Sequence, residues 1–213
     1  MHTEIRQEII DAALEIKRYG LIALSGGNVS VRLGDGTVLV TPSGMSYEGM
    51  EPSDILHMKP CGEIIDGVLR PSVDTVALLY IYEHMPHVNA IIHTHQPYAS
   101  AIGLIQDEFP VASTTLANVT LGAVPVAPYS SAASKQMGVE TVAHIGDKRA
   151  VILKHHGVIT VGGTLKEALY AAIYMEEAAK CYLAAKAAGN VALMTPEQVS
   201  GAVEVFKDYG QGK

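Results

Sequence analysis

The sequence has no tryptophan, only two phenylalanines and only two cysteines in 213 residues. Two thiols, Cys61 and Cys181, are too few for a disulfide framework or a cysteine zinc site, so they read as ordinary thiols in a reducing, cytoplasmic setting. Long apolar runs are missing too: no stretch reaches the roughly 18 to 20 residues that a membrane span needs. The first residues, Met1 to Glu8, are charged and helical in pattern, unlike a secretory signal. Positive charge is scarce: 15 Lys and Arg stand against 22 Asp and Glu, a formal net charge of −7, and the basic residues form no cluster. Nucleic-acid binding draws mostly on phosphate neutralisation by such residues, so the balance argues against that partner and against an anionic membrane surface. A small anionic substrate is still allowed, because backbone N–H groups and a metal hold a phosphate with few cations.

What is present suits one folded domain over 1–213. Hydrophobic residues make up 48% and charged residues 17%, enough to bury a single core. Residues 3–19 place Ile5, Ile9, Ala12, Ala13 and Ile16 at amphipathic-helix spacing, with Gly20 as a stop. A hairpin follows, 29–33 and 37–41 around Gly34-Asp35-Gly36, then a strand over 54–59. The pattern then predicts a helix over 75–84, a strand over 88–95 closed by Pro97, and a short helix over 98–104. It further predicts extended segments over 114–120 and 124–127, a helix over 130–144, and strands over 150–153 and 157–161. Thr164 with Glu167 is a capping-box start for a helix reaching about Lys186, and a last helix covers 196–207. Hairpins early and helices interleaved later predict an α/β domain: a mixed, mainly antiparallel central sheet with helices packed on its faces.

Nine histidines carry the chemical signal. His93 and His95 stand two apart on a predicted strand, so their side chains leave the same face and can meet one ion. His156, at the end of an apolar strand, can arrive as a third ligand. Three histidines with an open position make a catalytic site, although spacing alone leaves the metal open among zinc, iron, cobalt and manganese. His2, His57, His84, His87 and His144 have no such setting. Ser72 and Asp74 before a helix also read as N-cap residues, and Asn28, Ser43 and Gly44 as turn residues.

Gly27-Asn28-Val29-Ser30, Thr41-Pro42-Ser43-Gly44, Pro71-Ser72-Val73-Asp74, His93-Thr94-His95, Pro125 to Tyr129, His155-His156-Gly157 and Phe206 to Gly210 occur in that order. As an ordered set over nearly the whole chain they resemble the class II aldolase/adducin family. The likeness is strongest to aldolases of the L-fuculose 1-phosphate type, with some features of the L-ribulose-5-phosphate 4-epimerases. The resemblance implies His93, His95 and His156 as ligands of zinc or another divalent metal. It implies Asn28, Ser43, Gly44 and Ser72 as the holders of a substrate phosphate. Asp74 would be the catalytic acid–base, and Tyr209 a proton donor reaching a site shared between subunits of a homotetramer. The implied reaction is reversible cleavage of a ketose 1-phosphate to dihydroxyacetone phosphate and a small aldehyde, through an enediolate that the Lewis-acidic metal stabilises.

Three positions depart from the family pattern. Val73 replaces a phosphate-binding serine, Thr114 stands where the aldolases place a proton-donating tyrosine, and Asn118 stands where the epimerases place an aspartate. An amide cannot exchange a proton near neutral pH, which weakens the epimerase reading. A related decarboxylase or dehydratase stays open. A non-enzymatic adducin-like module would lack the metal histidines, and all three are present.

Overall fold

The computed structural model describes residues 2–206; Tyr209 lies outside the described residues. The first helix, α1 (Thr3–Arg18), buries Ile9, Ile10, Ala12, Ala13 and Ile16 along one stripe. It ends where Gly20 takes φ +73°. The hairpin β1 (Asn28–Arg32) and β2 (Val38–Val40) closes as expected, with the Asp35 carboxylate accepting from the Thr37 N–H and hydroxyl. A single 3-10 turn leads into β3 (Leu56–Met58), and β4 (Ile64–Asp66) pairs with it. After that come α2 (Thr75–His84), β5 (Ala90–Thr94), α3 (Pro97–Ile105), β6 (Glu108–Phe109), α4 (Thr114–Thr120) and β7 (Val124–Ala127). The chain continues through α5 (Lys135–Ile145), β8 (Ala150–Leu153), β9 (Gly157–Gly162), α6 (Leu165–Ala188) and α7 (Pro196–Phe206).

Two expectations are corrected. Residues 114–120 are helical, not extended. The Ser113 hydroxyl accepts from the Leu116 N–H, and Leu116, Ala117, Val119 and Thr120 are buried at helical spacing, which outweighs the β-branched threonines. The helix expected from residue 130 starts only at Lys135, capped by Ser134, so 130–133 remain loop.

Among the described residues, nine strands form one sheet in the order β4-β3-β2-β1-β5-β9-β8-β7-β6, antiparallel everywhere except between β7 and β8. Its central strands β5, β9 and β8 are buried throughout, because helices cover both faces. Alternation sorts their side chains. Ile91, Val151 and Ile159 join Leu78, Ile81 and Met137 under α2 and α5. Ile92 joins Ile9, Ile16 and Ala172 under α1 and α6, while Ile152 and Val158 pack on Ala99, Ile102 and Met175. The expected capping box forms: the Glu167 N–H donates to the Thr164 hydroxyl, and the Thr164 N–H to the Glu167 carboxylate. No helix among the described residues is long and apolar enough to cross a membrane.

Candidate active site

The site grows from the middle of the sheet, where β1, β5 and β9 meet. His93 faces Asn28 directly across β1–β5 and Ile159 across β5–β9, so its ring stands near the strand ends. The imidazole is fully buried, and its Nδ1 lies 2.9 Å from the Val158 carbonyl oxygen. A carbonyl only accepts, so Nδ1 carries the proton and Nε2 is left as a bare lone pair. That lone pair meets His95 Nε2 at 3.1 Å, and His156 completes the triangle, with ring centroids 4.8 Å from His93 and 5.3 Å from His95. One donor nitrogen from each of the three lies within 4.8 Å of the others.

Glycines make this convergence sterically possible. A Cβ on Gly157 would sit 2.3 Å from the Thr94 carbonyl oxygen and 3.0 Å from the His95 ring. At Gly27, with φ +120°, a Cβ would lie 2.7 Å from the His93 carbonyl, and at Gly26 it would touch the His95 ring at 3.2 Å. Gly26, Gly27 and Gly157 are therefore close-approach positions around the imidazoles.

The donor set fits a divalent metal on the molecule's own terms. Burial pushes His93 down to about 4, with Asp74 partly opposing, and burial also lowers His156. Both rings are thus neutral and able to ligate near pH 7. His156 Nδ1 is buried with no hydrogen-bond partner among the described residues. The carbonyl behind His93 fixes its tautomer, the usual outer arrangement at a metal-bound histidine.

Asp74 stands at the start of α2 but does not cap it: its side chain makes no bond to the helix backbone. Instead Oδ2 accepts from the Asn28 amide at 3.1 Å, and Oδ1 accepts from the Ala133 N–H at 3.0 Å. Ala133 offers that N–H from a left-handed conformation, φ +57°, in the loop that delays α5. Asn28 is fully buried at the head of β1, with its Oδ1 unpartnered among the described residues. Its amide, expected to bind phosphate, thus also holds the carboxylate.

Ser43, Gly44 and Ser72 are brought together by two zipped loops. The Ser43 N–H donates to the Arg70 carbonyl, the Ser72 N–H to the Thr41 carbonyl, and Pro42 bridges Pro71. Gly44 takes φ +68°, Ser43 is exposed and Ser72 is buried. Val73, Leu24 and Tyr129, each next to a site segment in the chain, are apolar and strongly exposed. Thr114 lines a groove against α7 instead, with Met194 and Gln198.

The family-level comparison agrees over most of the length: residues 7–183 match the class II aldolase and adducin N-terminal domain. The chain belongs to this family. The L-fuculose phosphate aldolase of Escherichia coli K12 is 31% identical over 208 residues, spanning 97% of this chain and 96% of that protein. The 5-deoxy-D-ribulose 1-phosphate aldolase of Bacillus thuringiensis serovar kurstaki is likewise 31% identical, over 97% of each chain. A solved L-fuculose 1-phosphate aldolase shares the fold with a TM-score of 0.91 at 28% identity, covering 97% of this chain and 98% of that one. These relatives are lyases of the class II type, and this class II family member is an enzyme with a three-histidine group that can hold a metal.

Residue patterns do not reveal the Ala133 N–H or the Val158 carbonyl, because backbone groups carry no residue-type signal. Gly27 and Gly157 are visible as parts of motifs, but their steric reason emerges only from the folded strands.

Proposed function

We propose that the chain is a zinc-dependent sugar-phosphate aldolase that reversibly cleaves a ketose 1-phosphate, of the L-fuculose 1-phosphate type, to dihydroxyacetone phosphate and a small aldehyde. The supporting observation is a carboxylate, Asp74, immobilised by two hydrogen bonds beside three converging imidazoles. Zinc held by His93, His95 and His156 would supply Lewis-acid stabilisation of the negative charge that develops on the substrate oxygens.

The chain's own residues supply the rest. Asp74 moves a proton at the carbon that loses or gains the C–C bond, a role worth roughly 10² to 10⁴ in rate. Asn28 and Ala133 hold that carboxylate in register, so no orientation is lost at the moment of transfer. Ser72, Ser43 and Gly44, with Asn28, anchor the phosphate through hydroxyl and N–H donors, remote from the reacting bond. The Val73 side chain adds no donor there. Tyr209 delivers a proton to the aldehyde oxygen from a neighbouring subunit of a homotetramer. The exposed apolar side chains of Leu24, Val73 and Tyr129 support a site covered by another copy of the chain. The domain is taken as 1–213 and the setting as cytoplasmic.

The relatives named above act on two different ketose 1-phosphates, so the shared half of the substrate is better supported than the aldehyde half. The test is to incubate metal-loaded protein separately with L-fuculose 1-phosphate, 5-deoxyribulose 1-phosphate and L-ribulose 5-phosphate. Release of dihydroxyacetone phosphate from either 1-phosphate supports the aldolase. Stereochemical exchange of the 5-phosphate without fragmentation selects the epimerase instead, a reading that Asp74-Thr75 favours and Asn118 opposes.

A further inference from the structure

Behind the histidines lies a buried polar network that none of the roles above uses. His95 is exposed, and its only hydrogen-bond contact among the described residues is the one with His93. Its neighbours on both sides, Thr94 and Gln96, are buried. The Thr94 hydroxyl donates to Gln96 Oε1 at 2.6 Å, and Gln96 Nε2 donates to the Ala172 carbonyl of α6 at 3.3 Å. One turn further along α6, Glu176 is buried as well and points at the start of α3. Its Oε1 accepts from the Tyr98 N–H at 2.9 Å and its Oε2 from the Ala99 N–H at 3.0 Å.

The chemistry of that helix end accounts for the match. A helix start leaves its first N–H groups without intrahelical partners. Pro97 has no N–H, and the Ser100 N–H already bonds the Gln96 carbonyl, which leaves two donors for the two oxygens of one carboxylate. An anion there is also favoured by the helix dipole. Both oxygens of Glu176 are thus held by N–H groups of this turn, so Glu176 is committed to the turn and not to substrate.

We propose that Glu176, acting with Gln96, is a positioning residue: it pins the turn that carries His95 and so sets the affinity of the three-histidine site for its divalent metal. This rests on the metal reading of that site. The brace works on backbone geometry, since the His95 side chain makes no hydrogen bond among the described residues other than the one to His93.

The test compares wild type with Glu176→Gln, Thr94→Val and Met175→Ala. Met175 is buried in the same helix but packs in the apolar core. Zinc affinity is measured by chelator competition well below each melting temperature, with the absorption spectrum of the cobalt-loaded form as a report on ligand geometry. The expected result is about 10- to 100-fold weaker zinc binding and an altered cobalt spectrum for Glu176→Gln, the size found for outer partners of metal ligands. Thr94→Val should weaken binding about tenfold, the low end of that range. Met175→Ala should lower the melting temperature while keeping affinity and spectrum. Glu176→Gln with wild-type affinity and spectrum overturns the proposal while leaving the metal site intact, as does equal weakening in Met175→Ala. If Glu176→Gln does not fold, Thr94→Val decides, and unchanged affinity there overturns it. Wild type that takes up no divalent metal overturns both readings.

Discussion

Asp74 Oδ2 lies 3.9 Å from His93 Nε2, close enough to share a site and too far for a hydrogen bond. Nor is the pair an ion pair near neutral pH, because burial holds His93 down to about 4 and keeps its ring uncharged. A carboxylate and a neutral imidazole at this separation do not consume one another. The ring's lone pair stays available for a metal, and the carboxylate for a proton.

Replacing that carboxylate by its amide separates the two roles. Asp74→Asn should lower turnover at least tenfold, approaching the roughly 10² to 10⁴ range of acid–base catalysis, with metal content kept. Turnover and metal content are measured on the same preparation. Activity that survives the change assigns the proton transfer to another residue.

Removing the metal should abolish cleavage and lower thermal stability together. Binding to the folded chain alone adds about 2.7 kcal/mol when free metal exceeds its dissociation constant a hundredfold. Dialysis against a chelator, followed by melting curves with and without added zinc, reads the effect. Equal melting temperatures would mean that the folded chain holds no metal.

The stability of the metal-free protein should fall in mild acid. His93 titrates near 6.5 when unfolded but at about 4 when folded, because burial disfavours its charged form. Between those values the unfolded chain binds a proton that the folded chain refuses, so stability rises with pH in this window. His156, also lowered, acts in the same direction. Metal-free melting temperatures should therefore hold above about pH 6.5 and decline towards pH 4, and a flat profile argues against the buried, neutral ring.

Gly157→Ala should be costly for its size. The added Cβ would stand 2.3 Å from the Thr94 carbonyl oxygen, so the strand pair or the histidine turn must shift. A loss of about 3 kcal/mol, typical of severe overpacking, should accompany weakened metal binding. Denaturant melts and zinc titration check both, and wild-type values in either would show that the turn relaxes freely.

The parts of the fold legible in the sequence are those with strong periodicity or punctuation. The α1 stripe, the Asp35 turn, the α2 boundaries and the Thr164-Glu167 box all lie where the residue pattern predicts. The strand β4 is not among them: its three residues are all exposed, so no buried alternation marks it. The two-residue β6 is equally brief. In 114–120 the threonines suggest extension, whereas the Ser113 cap and the buried helical face decide the matter. At the site, the His93-Thr94-His95 spacing is readable because period two places both rings on one face. The bonds from Asn28 and Ala133 to Asp74 span 46 and 59 residues, and only the folded sheet brings them together.

Whether three imidazoles share one ion is decided by anomalous X-ray diffraction at the zinc edge, on crystals grown with zinc. One strong peak should stand among the facing nitrogens of His93, His95 and His156, beside the Asp74 carboxylate. A map with no peak there, or with His156 turned away from the other two rings, would refute the metal site.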